Sequence, residues 1–63
     1  MTIGTVKWYD KEKGYGFILA NQEDCFVHAK QIHYGEVLTS GDTVEFRLAK
    51  SPKGPVAKDV KKL

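Results

Sequence analysis

A chain of 63 residues with a net charge of +2, from ten Lys and Arg against eight Asp and Glu, has room for one small domain and no second. A domain of that size buries only about 60% of the surface its unfolded form exposes, so marginal stability is expected. The single cysteine, Cys25, excludes a disulfide framework and a cysteine-paired zinc site, and fits a reducing compartment. No apolar run approaches the ~18 residues that span a bilayer, and Met1-Thr2-Ile3-Gly4 leads straight into a strand pattern rather than a signal peptide. The expectation is a cytoplasmic protein with no membrane partner.

Helical periodicity is absent; every apolar segment reads with period two or as a short run. A first strand is predicted over Gly4–Asp10, with Val6 inward and Lys7-Trp8-Tyr9 supplying a cation and two rings. Asp10-Lys11-Glu12-Lys13-Gly14 makes a tight connection to a second strand, Tyr15–Leu19. Asn21-Gln22-Glu23 is a polar hairpin loop before a third strand, Asp24–His28. There Cys25 and Val27 share one face and Phe26 and His28 the other. Ala29 to Thr39 is the longest irregular stretch, with a single helical turn around Lys30–His33. Ser40-Gly41-Asp42 launches a fourth strand, Thr43–Ala49, on which Val44, Phe46 and Leu48 alternate. Ser51-Pro52-Lys53-Gly54-Pro55, with two prolines, is read as a loop before a fifth strand, Val56–Lys61.

Five short strands cannot bury one face as an open flat sheet, whereas closure gives the inward residues a shared core and removes exposed edges. The predicted core is Val6, Ile18, Cys25, Val27, Ile32, Val44, Phe46, Leu48 and Val60. The fold class is all-β, a five-stranded antiparallel barrel of OB type whose second and third strands form a binding face.

Lys13-Gly14-Tyr15-Gly16-Phe17-Ile18 matches the first six positions of the ribonucleoprotein consensus. Residues two apart on a strand share a face, so Tyr15 and Phe17 stand side by side. Gly14 and Gly16 are read as clearing space for a base, with Lys13 a cation at the platform's edge. Aromatic residues in strands are more often core than surface. Against that, Val6, Ile18, Cys25 and Val27 already make a core set, and burying Lys13 and His28 would desolvate them. Of seven aromatics, only Phe46 lies outside residues 8–34. Flat rings beside cations suit unpaired bases joined by phosphates.

Gly4-Thr5-Val6-Lys7-Trp8-Tyr9, Lys13–Ile18 and Asp24-Cys25-Phe26-Val27-His28, followed by Gly41, Val44, Phe46, Gly54-Pro55 and Val60, resemble the cold-shock domain proteins over residues 3–60. The order and spacing of the motifs make the likeness specific. An RRM shares the first motif but needs ~90 residues with two helices, and has its short motif before its long one. The resemblance implies one cold-shock domain over residues 1–63, binding single-stranded RNA and ssDNA with low sequence preference. It implies an RNA chaperone with a role in transcription antitermination or translation regulation, and no cofactor. Carried over by position, Trp8, Tyr15, Phe17, Phe26 and His28 stack bases, and Lys7, Lys13 and Lys53 serve phosphates or base edges. Tyr9 and Asp10, which stand where phenylalanine and asparagine are common, are counted in the same nucleic-acid-binding set. Ala29 and Lys30 depart from the pattern, which has an aromatic residue after the histidine and then usually serine. The following loop is about two residues shorter, with Tyr34 the candidate for its missing ring. Fewer rings imply weaker binding over a shorter site, leaning more on charge through Lys30.

No phosphate-cradling glycine loop with Lys and Ser/Thr is present, and no cysteine set at zinc spacing, so no metal or catalytic residue is expected. Cys25 and His28 lie at odd spacing and face apart, and the carboxylates fall in polar turns. The reading is a binding protein, not an enzyme. A peptide-binding barrel of SH3 type is the rival, as is a degenerate member acting through a partner. A modest pyrimidine preference and a monomer are expected, with strand exchange between copies the alternative.

Overall fold

The computed structural model describes residues 1–63, apart from the side chain of Tyr34. Five strands form: β1 (Thr2–Asp10), β2 (Tyr15–Ala20), β3 (Glu23–His28), β4 (Thr43–Ser51) and β5 (Gly54–Lys62). They close into a barrel in the order β1-β2-β3-β5-β4. Neighbours pair antiparallel except β3 and β5, which run parallel with Phe26 beside Val56. The sheet is therefore mixed, not wholly antiparallel. Closing the barrel brings the third strand against the fifth, and because β4 runs opposite to β3 and β5 opposite to β4, β3 and β5 point the same way.

The core forms from Val6, Ile18, Ala20, Cys25, Val27, Ile32, Leu38, Val44, Phe46, Ala57 and Val60. Ala20, Leu38 and Ala57 join the predicted set, while Leu48 is half-buried and packs against its edge. Small alanines sit inward because a barrel this narrow has little room at those levels. Leu38 comes from the irregular connection, where no alternation marks it.

Connections are tighter than the residue types suggest. Asn21 and Gln22 alone link β2 to β3, with φ of 52° and 64°, while Ala20 pairs with Glu23. Positive φ at both central residues suits the twist of a two-residue hairpin. Pro52 and Lys53 alone join β4 to β5, since Ser51 pairs with Gly54 and Lys50 with Pro55. The Ser51 hydroxyl donates to the Gly54 carbonyl at 2.9 Å and accepts from the Lys53 N–H at 3.3 Å, so the turn is held without a long loop.

The predicted helical turn is two 3₁₀ turns, Ala29–Gln31 and His33–Gly35, interrupted at Ile32, which forms a parallel bridge to Val60. Gln31 Oε1 accepts from the Asp59 N–H at 3.3 Å and Glu36 Oε1 from the Lys62 N–H at 3.2 Å. The connection thus borrows backbone donors of β5. Asp59 has φ of 52° at a register shift of the β4–β5 pairing, and its carboxylate receives Arg47 Nε at 3.0 Å and Nη2 at 2.9 Å.

Candidate nucleic-acid interface

The aromatic face is made by an interruption in β1. Val6 pairs with Ile18 and Trp8 with Phe17, so Lys7 is an extra residue against β2. In a regular strand Val6 and Trp8 would share a face. The bulge lets Val6 enter the core while Lys7 and Trp8 both face water. Tyr9 then turns inward, pairing with Gly16 and packing against the core. Its phenol is pushed up from the ordinary value by burial and secondarily by the charge of Asp10. Tyr9 is thus a supporting side chain beneath the face, not one of its outer rings.

Trp8, Tyr15, Phe17 and Phe26 form one connected ring surface. Trp8 lies 5.6 Å from Tyr15 and 5.5 Å from Phe17, and Phe26 lies 5.9 Å from Tyr15 and 5.7 Å from Phe17. Trp8 is 41% exposed, and the other three rings are half-buried. Such rings rest on the barrel and keep one face open, whereas Phe46, at 0% exposure, is core.

Gly16 serves the barrel rather than a ligand. A Cβ there would meet the Trp8 carbonyl oxygen and come within 2.7 Å of Tyr9 Cα. The space is filled by β1, so the expectation of room for a base at Gly16 is corrected. Gly14 adopts φ of +77° and closes the β1–β2 turn through its N–H to the Asp10 carbonyl at 2.8 Å. Asp10 Oδ1 accepts from the N–H groups of Glu12 and Lys13 at 3.0 and 3.1 Å. Asp10 therefore holds the turn that carries Lys13.

His28 ends β3 beside Tyr15, exposed, with Nδ1 accepting from the Lys30 N–H at 3.1 Å. A neutral ring in that arrangement carries its proton on Nε2, where it can donate outward. Lys7 is not a free cation: Nζ lies 3.2 and 3.1 Å from the two Asp24 carboxylate oxygens. Lys13, Lys30 and Lys53 are exposed with no carboxylate partner among the described residues. Lys53 borders a cleft lined by Phe17, Asp24, Phe26, Ser51, Gly54, Pro55 and Val56. Tyr34 as a replacement ring falls outside the described residues.

Asp24 and Val56 join the face without having been singled out in the sequence. Asp24 was legible, since alternation on β3 aligns it with Phe26 and His28. Val56 was not, because its place beside Phe26 depends on barrel closure.

Residues 2–63 match the family model described as the 'Cold-shock' DNA-binding domain. The chain belongs to the cold-shock domain family. Curated cold-shock proteins match over their full length and that of this chain. The Major cold shock protein of Micrococcus luteus is 46% identical over 67 aligned positions, and the Cold shock-like protein CspLB of Listeria monocytogenes is 45% identical over 67. Cold shock protein CspA of Staphylococcus aureus is 42% identical over 66. Among solved structures, drosophila Unr CSD456 superposes with a TM-score of 0.80 at 23% identity, covering 98% of this chain and 26% of that longer one. At that identity the likeness concerns the fold alone. Nucleic-acid binding is the general activity of the cold-shock family. Among the described residues no helix is long and apolar enough to cross a membrane.

Proposed function

We propose that this cold-shock domain, one unit over residues 1–63, binds single-stranded RNA and ssDNA by stacking bases on Trp8, Tyr15, Phe17 and Phe26. His28 borders the stack, and Lys13, Lys30 and Lys53 attract phosphates. The connected four-ring surface carries this reading, because its rings rest on the barrel near exposed lysines that have no carboxylate partner among the described residues. Every base has a π-face, so such a surface accepts all four with a modest leaning to flexible pyrimidine runs. The reading is a binding module, monomeric and cytoplasmic, rather than a catalyst.

An RNA chaperone role follows from the same physics. A surface that takes only unpaired bases stabilises the open form of a hairpin by RT ln(1 + [L]/Kd), with the protein as ligand and no ATP required. Melting of weak hairpins would also keep transcripts translatable and oppose terminator structures.

Trp8 is the sole tryptophan, so its fluorescence reports on the proposed face. Titration with oligo-dT and oligo-U at several salt concentrations should quench it, and Phe17→Ala should weaken binding by about 1–3 kcal/mol. Absence of quenching at every salt concentration would overturn the reading.

A further inference from the structure

The barrel continues the aromatic face over β5. β3 and β5 run parallel with Phe26 beside Val56, and continuing that register by two residues along each strand sets His28 level with Lys58. The backbone of His28 is extended, with φ of −105° and ψ of 148°, which carries the strand geometry to that point. Ala57 is buried, so Val56 and Lys58 share the outer side of β5, and Lys58 is exposed. Beyond His28 the chain makes an excursion as the Ala29–Gln31 turn, in which Gln31 still bonds the Asp59 N–H of β5, before Ile32 pairs with Val60. Exposed Lys30 sits in the middle of that excursion.

Charges around this corner are unequal. Arg47 pairs with Lys58 in the sheet register, but its guanidinium is held by Asp59 at 2.9 and 3.0 Å. Asp59 also lies 3.7 Å from His33 Nε2. Its carboxylate is thus occupied on both oxygens, whereas neither Lys58 nor Lys30 has a carboxylate partner among the described residues. With His28 accepting from the Lys30 N–H at the end of β3, the corner presents several donors, and neither lysine is neutralised by a carboxylate among the described residues.

We propose that Lys58, with His28 and Lys30, forms a phosphate seat that extends the single-strand path from Phe26 onto β5. Charge there takes up a share of binding at the end of β3, where Ala29 supplies no ring. The inference rests on the reading of the aromatic face as a nucleic-acid site. The ligand is the backbone of the same oligonucleotide, one nucleotide or so past the base stacked on Phe26.

Counterion release makes the seat measurable. Each phosphate contact to a single strand contributes about −0.7 to the slope of log K against log salt. Oligo-dT binding should be followed by Trp8 quenching between 50 and 200 mM salt, for the wild type and for Lys58→Ala, Lys58→Gln and Lys61→Ala. Lys61 is the control, because it pairs with Glu45 at 3.5 Å on the β4–β5 surface away from β3. Both Lys58 variants should bind more weakly at low salt, with slopes shallower by ~0.7. They should therefore lose about 2.5-fold less affinity over that salt range than the wild type. Adding Lys30→Ala should remove a further increment of similar size. Unchanged slopes in both Lys58 variants, with the wild type and Lys61→Ala binding normally, would overturn the seat and leave the aromatic site standing. No quenching of the wild type would overturn both readings together.

Discussion

Lys7 on β1 and Asp24 on β3 meet at 3.1 Å across the outer side of β2, the strand that lies between them. The ion pair therefore spans the strand that carries Phe17, at the border of the ring surface. Both side chains are about half exposed, at 45% and 50%, so the pair adds only about 0–1 kcal/mol to stability. Its larger effect is on the field, since the carboxylate cancels a cation beside the proposed path of a polyanion.

Asp24→Asn should release that cation. Binding of oligo-dT at 50 mM salt should tighten, and the salt slope should steepen by ~0.7 if Lys7 then meets a phosphate. The thermal midpoint should change little. Weaker binding by the variant would instead mark the Asp24 carboxylate as a direct acceptor from bases, a role the same geometry permits.

Gly16→Ala tests what the glycine in the ring motif is for. An added Cβ would meet the backbone of Trp8 and Tyr9 rather than a flexible side-chain tip, and would come within 2.9 Å of Tyr9 Cδ1. Overpacking of this kind costs about 1–3 kcal/mol, and rigid backbone places it at the upper end. At the usual ~0.05–0.15 kcal/mol per residue, that is a large part of the stability of so small a domain. The urea midpoint should fall steeply. A midpoint equal to that of the wild type would return Gly16 to the role of clearing space for a base.

Gln22 stands at φ of 64° in the second central position of the β2–β3 turn, directly after Asn21 at 52°. Asparagine tolerates that region and glutamine does not, so the residue carries about 1 kcal/mol of strain. Gln22→Gly should raise the thermal midpoint by several degrees, at ~4–8 °C per kcal/mol for a domain of this size. Destabilisation would show that the glutamine side chain contributes more than its backbone strain removes.

Asp42 governs one part of the acid response. The Thr39 N–H donates to its Oδ2 at 2.9 Å, and this bond is the largest reason its carboxyl lies below the ordinary value of 3.8. Desolvation opposes this as the second effect, and Lys62 Nζ at 3.3 Å adds to the depression. A depressed folded-state value means that the unfolded chain takes up the proton first. The stabilisation is present above pH 3.8 and is lost as pH falls through the lower folded value. Thermal melts from pH 5 downward should therefore show a steeper decline for wild type than for Asp42→Asn. Parallel profiles would remove Asp42 from the acid response.

Much of this protein is determined by local pattern. Alternation along residues 15–19, 24–28 and 43–48 gives strands with one apolar and one polar or aromatic face, because side chains two apart must share a side. Ring residues at Tyr15, Phe17 and Phe26, set against an inward Ile18, Cys25 and Val27, were legible for that reason. So were the family motifs, and with them the fold.

Parity, however, carries only as far as a strand is regular. Nothing in Val6-Lys7-Trp8-Tyr9 announces the bulge that sends Val6 inward, Trp8 outward and Tyr9 back toward the core. The tertiary structure decides it, because β1 must pair with β4 through Thr2–Thr5 and with β2 through Thr5–Asp10 while it wraps a closed barrel. An extra residue provides the bend. Closure likewise decided that β3 lies parallel to β5, placing Val56 beside Phe26. Those neighbours are 30 residues apart in the chain. Local sequence sets which side of its own strand a residue faces, but which strand lies alongside follows from shutting the whole barrel around one core.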